Sequence, residues 1–158
     1  MKLTKPVLLA ISSGGGHWVQ LQRLKPAFAS IETIYASVGE RQQDVYPAEY
    51  LSIPDANRDT KFRLILLIFK LTLIIFKHRP RVIVSTGAAP GYLAITLGKL
   101  IGAKGLFIDS IANAERLSVS GEMASHHADL MLTQWPELQR PGVRYEGNII
   151  THNFGERE

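Results

Sequence analysis

Apolar positions along this chain come in short runs, and polar or glycine-rich stretches separate these runs from one another. Short apolar runs bounded by turn residues are typical of buried β-strands. Strands are predicted over residues 6–11, 32–38, 50–53, 81–86, 104–108, 128–134 and 143–149.

Helical periodicity follows several of these runs and predicts helices over residues 17–28, 61–78, 92–101 and 122–127. In the first helix, Leu21, Leu24 and Phe28 share the sheet-facing side, and Pro26 is expected to end or kink it. The alternation predicts an α/β fold, a single Rossmann-like, doubly wound parallel sheet with right-handed crossovers. We expect residues 1–150 to form this domain and residues 151–158 to form a polar tail.

The first predicted strand ends in a glycine loop that opens a helix at His17. Glycines let a ligand approach the backbone, and a helix N-terminus offers N–H groups and a positive dipole end, so the loop suits a phosphate or diphosphate. It lacks the Gly-Lys-Ser/Thr of a Walker A loop and the glycine spacing of a dinucleotide site. A plain structural turn is the alternative. The candidate ligand-binding residues here are Ser13, Gly14, Gly15 and Gly16.

A second small-residue loop follows the strand over 81–86, and the strand over 104–108 delivers two polar side chains. Loops after parallel strands lie together at the carboxyl edge of a sheet, so both regions are expected to face one site. The candidate substrate-binding residues in this part are Thr86, Gly87, Gly91 and Ser110.

Three further polar residues are candidates for chemistry at that edge. His17 is expected either to accept a proton from an attacking hydroxyl or to donate to a phosphate, with a helix-capping role as the alternative. Asp109 either orients His17, binds a hydroxyl group of a ligand, or is a solvated loop acid. Arg116 either pairs with a diphosphate or lies on the surface. The neighbours His126 and His127 point apart on a helix, so no metal site is predicted.

The helix predicted over 61–78 is apolar on nearly every side. Such a helix is either buried or meets lipid or a partner. Its apolar part, 64–76, spans roughly 20 Å, which is shorter than a bilayer core. If the helix meets lipid, it is therefore expected to lie on or dip into the membrane and not to cross it; a core helix with snorkelling lysines is the alternative. The candidate membrane contacts are Arg63, Leu64, Leu67, Ile68, Lys70, Ile75 and Lys77.

The charge distribution favours contact between this helix and an anionic partner surface. The chain of 158 residues has a formal net charge of +4, and residues 61–81 hold six Lys or Arg and no acid. Anionic lipid, nucleic acid or solvent could face this segment. Because Leu, Ile and Phe fill the positions between the cations, lipid is favoured over nucleic acid. The chain has no cysteine, which excludes disulfides and thiolate chemistry.

Four stretches together resemble the Alg14-like family of oligosaccharide and polysaccharide biosynthesis proteins, including its bacterial PssD and EpsE type. The resemblance covers about residues 6–150, and the glycine–histidine loop is shared with MurG-like GT-B glycosyltransferases. The stretches are Ser12-Ser13-Gly14-Gly15-Gly16-His17, Ser85-Thr86-Gly87, Asp109-Ser110 with Arg116-Leu117-Ser118, and Ala128-Asp129 leading to Gln134-Trp135-Pro136-Glu137-Leu138.

The resemblance implies a function that spacing alone does not. It implies the N-terminal, acceptor-side half of a GT-B glycosyltransferase, active only with an Alg13-like partner chain that holds the nucleotide-sugar. The acceptor is then a lipid-diphosphate-linked saccharide at the cytoplasmic face of the cell membrane, where the chain is peripheral. The transfer is inverting and needs no cofactor. The family usually has Glu where this chain has Asp109. The rival hypothesis is a stand-alone nucleotide- or phosphate-binding module without a membrane role.

Overall fold

A computed structural model of the chain describes residues 7–56 and 61–150. Within these residues, one sheet of seven strands has the order β3-β2-β1-β4-β5-β6-β7, and every neighbouring pair is parallel. The predicted tail at 151–158 lies outside the described residues. The strands are β1 Val7–Ile11, β2 Glu32–Val38, β3 Glu49–Ile53, β4 Val82–Ser85, β5 Lys104–Ile108, β6 Leu130–Thr133 and β7 Arg144–Tyr145.

Five α-helices flank this sheet in the described part of the chain: α1 Gly16–Arg23, α2 Gln42–Val45, α3 Lys61–His78, α4 Ala88–Gly98 and α5 Val119–Ser125. Short 3₁₀ turns cover Lys25–Phe28, Lys99–Ile101 and Pro136–Leu138. The predicted α/β fold is confirmed, and α3 has the predicted bounds. The first predicted helix stops at Arg23, because Pro26 has no N–H to continue the ladder and a 3₁₀ turn takes over.

Two helix predictions differ from the structure at their edges, and one short helix was not predicted. The helix that was not predicted is the single turn of α2. Helix α4 begins at Ala88 and not at residue 92, since Pro90 falls in the first turn, where a missing N–H costs nothing. Helix α5 begins at Val119 because the Ser118 hydroxyl caps it, accepting a hydrogen bond from the Gly121 N–H at 2.8 Å.

Strand alternation divides the core between the two faces of the sheet. On β1, Leu9 and Ile11 face a large cluster that includes residues of α3, α4 and α5. Leu8 and Ala10 face a smaller cluster on the side of α1, where Trp18, Leu21 and Phe28 are buried. The sheet-facing side predicted for α1 and its 3₁₀ extension is therefore confirmed.

The strand order places a topological switch point beside β1. This strand pairs with β2 on one side and with β4 on the other, so the chain connections run outward in opposite directions from it. In doubly wound sheets, ligands bind outside the carboxyl ends of the strands at this point. The loops after β1 and β4 therefore face each other across the crevice.

Candidate functional site

His17 and Thr86 join the two loops at the switch point. The Nδ1 atom of His17 lies 2.9 Å from the Thr86 carbonyl oxygen, and the Thr86 hydroxyl donates to the His17 carbonyl at 2.7 Å. A carbonyl only accepts, so this bond requires the proton on Nδ1. In the neutral ring, Nε2 then carries the lone pair, which is the form a general base needs.

Thr86 therefore serves as a support for His17. It is fully buried, and its hydroxyl and carbonyl are both used by His17. The prediction that Thr86 contacts substrate is wrong, because the strand end buries the side chain beneath the loop.

Gly87 fits closely beneath the histidine ring. It has a φ of 132°, and a Cβ at this position would lie 2.5 Å from Nδ1 of His17. The next residue, Ala88, is left-handed with a φ of 63°. Non-glycine residues in this region are strained by about 1–2 kcal/mol. The backbone after β4 is thus shaped to bring Thr86 against the ring, which fixes the ring's position.

Gly91 has a different role from the predicted one. It is buried in the first turns of α4, and a Cβ there would lie 1.7 Å from the Ser85 hydroxyl oxygen. That hydroxyl accepts a hydrogen bond from the Gly87 N–H at 3.1 Å. The prediction that Gly91 contacts a ligand is wrong, because its missing side chain lets α4 pack against β4.

The first glycine loop is open to solvent. Gly15 and Gly16 are exposed, and Gly15 has a φ of 62°. Helix α1 starts there with no side-chain cap and no acidic residue in its first turn. The Ser37 hydroxyl on β2 donates to the Ser13 carbonyl at 3.0 Å, which anchors the start of the loop. The predicted residues of this loop therefore lie together beside His17, at a helix end suited to an anion.

Asp109 is a buried support of the loop that follows β5. Its carboxylate accepts from the Ser118 hydroxyl at 2.6 Å, from the Ser118 N–H at 2.7 Å and from the Asn113 amide at 3.4 Å. The residue is 1% exposed. The predicted contacts with His17 or a ligand hydroxyl, and the alternative of a solvated acid, are all wrong. The carboxylate is instead consumed by backbone and hydroxyl donors of its own loop, and Thr86 orients His17.

Ser110 belongs to a buried amide network that the sequence interpretation missed. Gln20 donates to the Ser110 hydroxyl at 3.0 Å and accepts from Gln134 at 2.8 Å. Gln134 also donates to the Asp109 carbonyl at 2.8 Å. Gln20 lies three residues after His17 on α1, so the network fixes the helix that carries His17. The available signal was a glutamine at a core-facing position of an amphipathic helix.

A polar cavity of about 300 Å³ opens between α1, the start of α4 and the loop after β5. Arg116 is exposed and does not line it. In the part of the chain that the structure describes, no cluster of metal-ligating side chains is found. The polar residues that line the cavity are His17, Ser110, Asn113, Ser118 and Ser120.

Helix α3 exposes a different face from the predicted one. Leu67 and Ile75 are fully buried against the sheet, and Leu64 and Ile68 are half-buried, so the prediction that these four meet lipid is wrong for the first two. Arg63, Lys70 and Lys77 are exposed as predicted. None of the described helices is long and apolar enough to cross a membrane. The outward apolar face consists of Phe62, Ile65, Leu66, Phe69, Leu73 and Phe76.

Residues 52–149 match the family described as oligosaccharide biosynthesis proteins, Alg14-like. This chain belongs to the Alg14-like family. The matched region includes β4, the loop after it, Asp109 and the buried amide Gln134. Membership of the family gives the chain a role in oligosaccharide biosynthesis.

A curated relative supports this membership. The Alg14-like chain is 34% identical over 85 residues to the UDP-N-acetylglucosamine transferase subunit ALG14 of Yarrowia lipolytica. The alignment covers 49% of this chain and 39% of the relative. The chain thus matches less than half the length of that protein.

Solved structures share the fold at low identity. MurG from Acinetobacter baumannii superposes with a TM-score of 0.70 at 11% identity, covering 90% of this chain and 45% of MurG. The UDP-N-acetylglucosamine 2-epimerase of Rickettsia bellii gives a TM-score of 0.70 at 13% identity, covering 92% of this chain and 46% of the epimerase. The Alg14-like chain therefore has the Rossmann-like fold of the N-terminal half of GT-B glycosyltransferases.

Proposed function

We propose that this Alg14-like chain binds the acceptor in a glycosyl transfer. The acceptor is a lipid-diphosphate-linked saccharide, and an Alg13-like partner chain holds the nucleotide-sugar donor. The observation that carries the proposal is the pair of facing loops at the switch point. Between them, the Thr86 carbonyl fixes the ring of His17 beside a polar cavity and an open helix N-terminus. The relative from Yarrowia lipolytica is named as a transferase subunit, which supports a two-chain arrangement.

The chemistry is a single displacement with inversion at the donor sugar. An acceptor hydroxyl oxygen forms a bond to the anomeric carbon of the donor, and the bond from that carbon to the nucleoside diphosphate breaks. The hydroxyl proton passes to Nε2 of His17, while the electron pair of the broken bond leaves with the diphosphate. General base catalysis of this kind contributes about 10²–10⁴-fold to the rate.

The outward face of α3 is the proposed membrane contact. It presents an apolar stripe, in which Phe62 is 72% exposed and Phe69 is 63% exposed. The cations of residues 61–81 flank it without any acidic residue in that segment. Apolar side chains at the acyl boundary and Lys or Arg at anionic headgroups are what an interfacial helix requires.

Transfer to a lipid-diphosphate-sugar, assayed with this chain, its Alg13-like partner and both together, tests the acceptor role. We expect activity only from the complex and a loss of at least about 100-fold in kcat for His17→Ala. His126→Ala, a histidine exposed at the end of α5, is the matched control and should leave the rate unchanged. Turnover by this chain alone would refute the two-chain arrangement. Tight binding of free nucleotide-sugar by the lone chain would favour the stand-alone module.

Flotation with vesicles containing phosphatidylglycerol tests the membrane role. The double variant Phe69→Ser/Leu73→Ser should lose vesicle binding and keep the melting temperature, because both side chains are exposed. Leu100→Ser is the matched control, since Leu100 is even more exposed and lies on a different element. Equal vesicle binding by the native chain, the double variant and Leu100→Ser would show that α3 is not the membrane contact.

A further inference from the structure

A guanidinium lies beside the first glycine loop, contributed by the segment that follows β2. A Cβ built on Gly14 would lie 3.7 Å from an Nη atom of Arg41. The strand order explains this position, because β2 is the direct neighbour of β1 and their carboxyl ends lie together. Arg41 was not among the residues that sequence patterns indicate, since nothing near it along the chain marks a site.

The Arg41 side chain is already held in place. Its Nε donates to the Val38 carbonyl at 3.3 Å, and its Cζ lies 5.8 Å from the centre of the Trp18 ring. Trp18 is itself buried and fixed, because its indole N–H donates to Asp44 at 2.9 Å and its ring meets the edge of Tyr50. A guanidinium ordered in advance loses less entropy when it binds.

The Nη groups of Arg41 remain available. Within residues 7–56 and 61–150, neither has a hydrogen-bond acceptor and Arg41 forms no salt bridge. The acidic groups on its own segment are Glu40, which is exposed, and Asp44, whose carboxylate is bonded to Trp18. In the same part of the chain, the buried Ser12 hydroxyl at the base of the glycine loop also has no partner. A fixed cation and a free buried hydroxyl therefore adjoin one loop.

We infer that Arg41 binds phosphate oxygens of a diphosphate that enters at Gly14–Gly16. This inference rests on the proposed function and names the residue that recognises its anionic substrate. The planar fork of Arg41 donates two parallel hydrogen bonds to one phosphate of the diphosphate. The N–H groups at the start of α1 donate to the other phosphate. Lys keeps the positive charge but lacks the planar fork, so Arg suits this position better than Lys.

Titration of the purified chain with inorganic pyrophosphate, followed through the backbone amide signals of Gly14, Gly15 and Gly16 by NMR, tests the inference without partner or membrane. We expect Arg41→Gln to weaken binding at least fivefold and Arg41→Lys to weaken it by less. Arg144→Gln is the matched control, because Arg144 is an exposed arginine on β7, at the edge of the sheet farthest from Arg41. Unchanged affinity of Arg41→Gln would overturn the inference. If that variant unfolds, an affinity of Arg41→Lys equal to that of the native chain would overturn it.

Competition identifies the source of the diphosphate. Geranyl diphosphate represents a lipid-linked acceptor, and UDP-N-acetylglucosamine represents a donor. Stronger, Arg41-dependent competition by geranyl diphosphate supports the acceptor, and competition by neither compound overturns the inference. A failed transfer assay with intact Arg41-dependent binding would reject the proposed function and leave the anion site standing. Active transfer, combined with pyrophosphate binding that does not depend on Arg41, would support the proposed function and reject the anion site.

Discussion

Replacement of Gly91 by Ala tests whether this glycine packs a helix or serves a ligand. A Cβ at residue 91 would lie 1.7 Å from the Ser85 hydroxyl oxygen and 2.6 Å from the Ser85 Cβ. Rotation of the hydroxyl would relieve only the first contact, and it would break the hydrogen bond from the Gly87 N–H. The second contact requires α4 to move away from β4.

The magnitude follows from these contacts. Loss of the hydrogen bond costs about 1 kcal/mol and overpacking about 1–3 kcal/mol, while Ala in place of Gly returns up to about 1 kcal/mol of helix propensity. We expect a net loss of about 2 kcal/mol in the free energy of unfolding. For a chain of this size, that lowers the melting temperature by about 4–8 °C.

Urea and thermal unfolding, followed by circular dichroism, measure the effect. Gly98→Ala is the matched control on the same helix, because its Cβ would meet the terminal methyl of Ile83 at 2.3 Å and that group can rotate away. It should cost less than half as much. The double variant Ser85→Gly/Gly91→Ala removes the obstructing atoms and should be more stable than Gly91→Ala. A stable Gly91→Ala, or no recovery in the double variant, would refute the packing role.

Two further predictions concern the loops that carry the site. Ala88→Gly should raise the free energy of unfolding by up to about 1 kcal/mol, because glycine adopts the left-handed φ of 63° without strain; urea unfolding measures it, and a loss of stability would contradict it. Asp109→Asn should lower stability by about 2 kcal/mol, because an amide group placed against the Ser118 donors leaves one of them unsatisfied; unchanged unfolding would show that this carboxylate is dispensable.

The fold was largely predictable from the sequence because each strand is an apolar run with turn residues on both sides. The meeting of the two glycine loops was predictable too, since parallel strands place their following loops at one edge. The role of Gly91 could not be predicted from the sequence. A glycine that admits a ligand and a glycine that admits a neighbouring strand have the same sequence signal, and only the distance to Ser85 separates them.

Other parts of the site depend on long-range contacts that no local pattern contains. Asp109 follows a strand as a catalytic acid often does, yet its partner Ser118 lies nine residues on, at the far end of the same loop. Gln20 and Gln134 are 114 positions apart and meet only through the sheet order. Helix α3 is apolar nearly all round, so its sequence could not identify which leucines face the core.

The strand order also arranges the proposed substrate from one end to the other. The His17 cavity lies toward β5, the glycine loop lies at β1, and Arg41 lies at β2. A sugar beside His17 with its diphosphate on the glycine loop would therefore direct its lipid toward β2 and β3. Helix α3 follows β3 and so begins at this same carboxyl edge, with the exposed Phe62 in its first turn. In this proposed arrangement, the lipid end of the acceptor would lie near the start of the proposed membrane face on α3.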